Sequence, residues 1–166
     1  MADRVSSPYL KNPQRLSEVI AAIQVLGTYK YYKRDFVGWA KAISGDKEKG
    51  EFWKNIFLDH PEFFRINSSE KAVSLVWRRT YQKRYYVDIE KTVTKEECDR
   101  LKAEGKGDRV SRTPLSNQDI QMLINTAINL HSRALEGKKD KRWWIAPLIA
   151  FLGAILGAVI GTFASR

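Results

Sequence analysis

Six basic residues, Lys54, Arg65, Arg78, Arg79, Lys83 and Arg84, crowd one stretch of the chain and are the side chains best placed for chemistry. Ammonium and guanidinium groups bind phosphate oxygens, and several on one surface make a polyanion site. Tyr81, Tyr85 and Tyr86 accompany them and offer stacking faces or hydroxyl donors. Lys47 and Lys49 precede Lys54 on the same predicted helix. That helix also carries Glu48, Glu51, Asp59 and Glu62, and mixed signs on one helix equally describe a solvated face. The net charge of +10 suits either nucleic acid or an anionic lipid surface.

Other chemistry is thinly supplied. The chain has one cysteine, Cys98, and two histidines, His60 and His131, with no Cys-x-x-Cys or comparable metal spacing. No nucleophile elbow, kinase motif, metalloprotease helix or Gly-rich phosphate cradle occurs. Glu96 and Glu97 stand at a predicted helix start, where the helix dipole favours acids for structural reasons. The expectation is therefore a non-enzymatic protein with no catalytic residues, no cofactor, no metal and no small-molecule substrate. Trp39, Trp53 and Trp77 read as core residues.

The C-terminal region carries a different message. Residues 145–164 read IAPLIAFLGAILGAVIGTFA without a charge. As a helix, twenty residues rise roughly 30 Å, the thickness of a bilayer core. Lys138, Lys139, Lys141 and Arg142 precede the segment, followed by Trp143 and Trp144 at its edge. Basic flanks favour the cytoplasmic side and tryptophans the headgroup layer. These features predict a single-pass tail anchor in a bacterial inner membrane, with the N-terminal part cytoplasmic. The polar start of the chain lacks the apolar core of a signal peptide. Gly153, Gly157 and Gly161 recur every four residues, a small-residue stripe suited to close helix packing and self-association.

The elements that must position the basic set follow from periodicity and caps. Asn12-Pro13 opens a predicted helix whose stripe is Leu16, Val19, Ile20, Ile23 and Leu26, with Gly27 at its end. Asp35 opens a second helix closed by Ser44-Gly45, and Asp46 a third, stopped at His60-Pro61. The period then shortens. Phe63 to Ile66 is strand-like, residues 67–70 are a polar turn, and Val73, Leu75 and Trp77 alternate with Ser74, Val76 and Arg78. Thr94 to Glu97 is a capping box for a short helix, 104–112 a loop, and Ser116 to Asp119 the start of a long amphipathic helix ending near Gly137.

Three helices followed by a hairpin, with Glu51 to Arg79 as the most specific piece, resemble the winged-helix superfamily over Pro13 to Arg79. The whole chain resembles a group of small bacterial tail-anchored membrane proteins. The winged-helix resemblance implies that the third helix enters a DNA major groove or that the domain binds proteins. The predicted fold is mainly α with a small β-hairpin, then a long amphipathic helix and one C-terminal transmembrane helix. Its divisions are a flexible N-terminus (1–12), a winged-helix-like domain (13–90), a helical extension (91–137), a juxtamembrane segment (138–144) and the span (145–164). The expected role is a membrane-tethered adaptor that binds a protein partner or itself, with a membrane-anchored DNA-binding regulator as the alternative.

Overall fold

A computed structural model describes residues 7–69 and 71–140. Helix α1 (Arg15–Thr28) forms because its apolar residues repeat at helical spacing, and Val19, Ala22, Ile23 and Leu26 are fully buried on one face. Helix α2 (Phe36–Ser44) begins where the Asp35 carboxylate accepts the Gly38 N–H. It ends at Gly45, whose φ of 74° suits a residue without Cβ. A 3-10 turn capped by Asp46 leads into α3 (Gly50–Asp59), which buries Trp53, Ile56 and Phe57.

Strands β1 (Lys33–Arg34), β2 (Phe64–Ile66) and β3 (Val73–Leu75) form an antiparallel sheet in the order β1-β3-β2. Its inner face sends Phe64, Val73 and Leu75 into the core made by α1, α2 and α3. The Trp39 indole lies fully buried there and donates to the Val73 carbonyl at 3.0 Å. A second antiparallel sheet, β5-β4-β6, joins β4 (Tyr85–Tyr86), β5 (Lys91–Thr92) and β6 (Val110–Ser111). Helix α4 (Lys95–Ala103), started by the Thr94–Glu97 capping box, places Cys98 and Leu101 against Val110 in a separate small core.

Helix α5 (Asn117–Asp140) lies along α1, burying Ile120, Leu123 and Ala127. The approach is close because Gly27 continues α1 instead of ending it. A Cβ there would come within 3.2 Å of Ile120 Cγ1, and the Gly27 carbonyl accepts the Leu115 N–H at 2.9 Å. Replacing Gly27 with valine is expected to cost about 1–3 kcal/mol by overpacking this seam. Thermal melting checks it, at roughly 2–4 °C for each kcal/mol in a chain of this size.

Two parts of the sequence-based fold are corrected. The expected single hairpin is two three-stranded sheets, because β1 pairs with β3 and the chain beyond Arg79 builds a sheet of its own. Two-residue strands carry no readable alternation, and β1 and β6 are fixed by partners distant in sequence. The expected transmembrane helix has no counterpart among the described residues. Among the described residues no helix is long and apolar enough to cross a membrane. The long helix α5 runs through Gly137 to Asp140, with Arg133, Glu136 and Lys138 along it. Residues 145–164, with Gly153, Gly157 and Gly161, and the flanking Lys141, Arg142, Trp143 and Trp144 lie outside the described residues.

Candidate anion-binding face

The pleat of the first sheet sorts its side chains. Phe64, Ile66, Val73 and Leu75 pair on the inner face, so the residues between them point outward. Register places Lys33 and Arg65 on either side of Ser74, one on each neighbouring strand. Two strand spacings separate them by roughly 10 Å. The Arg79 guanidinium joins the group by donating to the Ser74 hydroxyl at 3.4 Å, which leaves that serine buried. Lys33, Arg65 and Arg79 are all exposed, and among the described residues none of the three forms an ion pair. Three like charges on one small face repel one another, and a bound anion relieves that repulsion.

Lys33 also borders a cleft of about 280 Å³ between the two sheets, lined by Tyr31, Tyr32, Lys83, Asp108, Val110 and Ser111. The Ser111 hydroxyl accepts the Tyr32 N–H at 3.0 Å, tying the segment before β1 to β6. The Arg109 guanidinium lies 5.8 Å from the Tyr31 ring centre, donates to its hydroxyl, and pairs with Asp88. That bond holds the Asp88 carboxyl below the usual range and raises Arg109 further. The Arg112 guanidinium lies 5.1 Å from the Tyr32 ring and donates to the Tyr81 carbonyl.

Both walls of the cleft are held by Arg78, which is not an anion contact. It is fully buried, and its five donors meet backbone carbonyls from two segments. Nη1 donates to Leu26 (2.9 Å) and Tyr29, and Nη2 to Lys30 (3.4 Å) and Arg112 (2.7 Å). Nε donates to Thr113 at 3.1 Å. Among the described residues no carboxylate pairs with it, so the charge is balanced by carbonyl dipoles, including those at the C-terminal end of α1. Burial pushes the guanidinium down to about 10, which leaves it charged at neutral pH.

The other expected residues divide. Arg65, Arg79 and Lys83 share this face or its cleft, whereas Lys54 lies on α3 against Glu51 (3.3 Å) and the Phe36 ring. Arg84 is half-buried beside β4. Tyr85 is buried, and Tyr81 packs partly buried against the main core with its hydroxyl donating to Asp119 at 2.9 Å. The exposed positions of α3 are Glu51, Phe52, Asn55 and Leu58, an acidic and apolar set unsuited to lying against phosphates. Sequence reasoning missed Tyr31, Tyr32 and Lys33, although Tyr29 to Arg34 interleaves aromatic and basic residues as 80–86 does.

His60 is buried at the end of α3, its Nδ1 3.0 Å from Glu62 and its ring 4.5 Å from Tyr9. Burial favours the protonated Glu62 carboxyl, but bonds from His60, a backbone N–H and Tyr9 outweigh it and hold the group below its ordinary value. Among the described residues no group of three His, Cys, Asp or Glu is placed to hold a metal ion. Compared with known proteins, the chain matches no family model, no curated protein and no solved structure.

Proposed function

We propose that this chain is a non-enzymatic interaction protein, attached to a membrane through residues 145–164, whose basic face binds nucleic acid. The observation that carries the reading is the unpaired set Lys33, Arg65 and Arg79 around Ser74, continued through the cleft to Lys83. Attachment rests on the twenty uncharged residues of that segment and its Lys, Arg and Trp flank.

Placement favours nucleic acid over the lipid in which the chain is rooted. Ile120, near the start of α5, packs by Gly27 at the cleft end of α1. His131, farther along α5, lies 6.0 Å from Tyr9 at the opposite end. The 24 residues of α5 rise roughly 36 Å and run from the cleft end of α1 past its opposite end. The cleft therefore stands by the start of α5, roughly 36 Å of helix from Asp140.

The test is titration of the full chain, in a nonionic detergent, with nucleic acid over a salt series. Four phosphate contacts give a slope of log affinity on log salt of roughly −3 to −4. Affinity then falls about 100-fold between about 50 and 200 mM salt. No binding at the low end removes the reading. A second reading, a protein partner or a second copy of the chain, draws on Val37, Phe52 and Leu58, large apolar residues exposed on α2 and α3. If that face is an interface, Leu58→Glu lowers the sedimenting mass of the full chain or of its complex.

A further inference from the structure

We infer that the cleft formed by Tyr31, Tyr32, Lys33, Lys83 and Asp108 receives one unstacked nucleotide, so that the preferred ligand is a single strand. This rests on the nucleic-acid reading above and names which form of nucleic acid is bound. The cleft, at about 280 Å³, sits at the small end of ligand sites, with room for one nucleotide but not for the stacked pairs of a duplex. Its chemistry matches the three parts of that unit. Two tyrosine rings offer stacking surface for a base, two ammonium groups meet phosphate, and the Asp108 carboxylate accepts from an exocyclic amine or a sugar hydroxyl.

The rings are preorganised for this. Arg109 holds Tyr31 and Arg112 holds Tyr32, yet neither guanidinium lines the cleft. The Tyr32 N–H is occupied by Ser111, which fixes the backbone beneath the ring. Lys33 belongs both to the cleft and to the sheet face, so a strand with one base inserted carries its neighbouring phosphates toward Arg79 and Arg65. A duplex keeps its base faces inside the stack and reaches only the outer cations.

The experiment compares the full chain, in nonionic detergent, with a fluorescent single strand of about 20 nucleotides and a duplex of the same length. The single strand is expected to bind at least 10-fold more tightly at equal salt. Tyr32→Ala is expected to remove about 10-fold of that affinity and leave duplex binding unchanged, while Tyr32→Phe keeps it. Lys83→Gln, an exposed change, lowers the single-strand salt slope by about 0.7. A free nucleoside monophosphate, which reaches the cleft alone, competes at least 100-fold more weakly than the strand. Equal affinity for both forms with no effect of Tyr32→Ala overturns the inference and leaves the nucleic-acid reading standing. A mononucleotide that competes as well as the strand also overturns it. Failure of either form to bind at low salt overturns both.

Discussion

Arg78→Ala is expected to lower the stability of the folded chain by about 3–5 kcal/mol. The side chain is fully buried and its removal leaves five carbonyls without donors at once. A hydrogen bond to a charged group contributes about 1.5–3 kcal/mol, and an orphaned buried acceptor adds the cost of its own desolvation. Against a typical total of about 5–15 kcal/mol, that loss is a large share of the chain's stability. Arg78→Lys is expected to recover less than half of the loss. An ammonium keeps the charge but cannot span acceptors on both Leu26–Lys30 and Arg112–Thr113. Chemical denaturation measures the loss. Hydrogen exchange gives a sharper readout, because amides in 29–34 and 110–113 should lose protection before those of α3. Uniform loss across the chain would show that Arg78 acts on the whole core and not on the walls of the cleft.

The second large effect is on binding. Neutralising the outer face with Lys33→Gln, Arg65→Gln and Arg79→Gln together is expected to reduce the salt slope for duplex from about −2.7 to near zero. The same relation gives a roughly thousandfold loss of affinity at about 50 mM salt, since each cation lost forfeits about one decade there. Melting should hardly change. The three side chains are exposed, and removing three like charges from one face relieves their mutual repulsion. The matched change Lys47→Gln, Lys49→Gln and Lys54→Gln, on and before α3, is expected to shift the slope by less than half as much. Lys54 is already paired with Glu51, and Glu48 and Glu51 counter the others. A larger effect from the α3 set would return the contact to that helix.

How much of this was legible in the sequence depends on the range of the interactions involved. Helices α1 to α5 announce themselves locally. Stripes such as Val19, Ile23 and Leu26, the Asp35 and Thr94 caps and the Gly45 stop each lie within a few residues of what they control. The strands β1, β4, β5 and β6 do not, because two residues show no period and their partners lie as much as 41 positions away, as with Lys33 and Ser74. Arg78 was misplaced for a related reason. The alternation through Val73 and Leu75 extrapolates it to the solvent side, but the strand stops at Leu75 and the 3-10 turn Trp77–Thr80 rotates it inward. The missed residues Tyr31, Tyr32 and Lys33 occupy the short link between two helices. Their signal was the shared aromatic and basic composition of 29–34 and 80–86, which the fold brings together at the cleft, where Tyr31, Tyr32 and Lys33 meet Lys83.

The most direct test of the central claim, that nucleic acid lies on the sheet face and cleft, is ultraviolet crosslinking of the full chain to a radiolabelled strand. Adducts are then mapped to peptides by mass spectrometry. The account predicts adducts in the peptides holding Tyr31 and Tyr32, Arg65, Arg79 and Lys83, lost on neutralising the face. Adducts confined to α3, or the same yield from the neutralised chain, would contradict it.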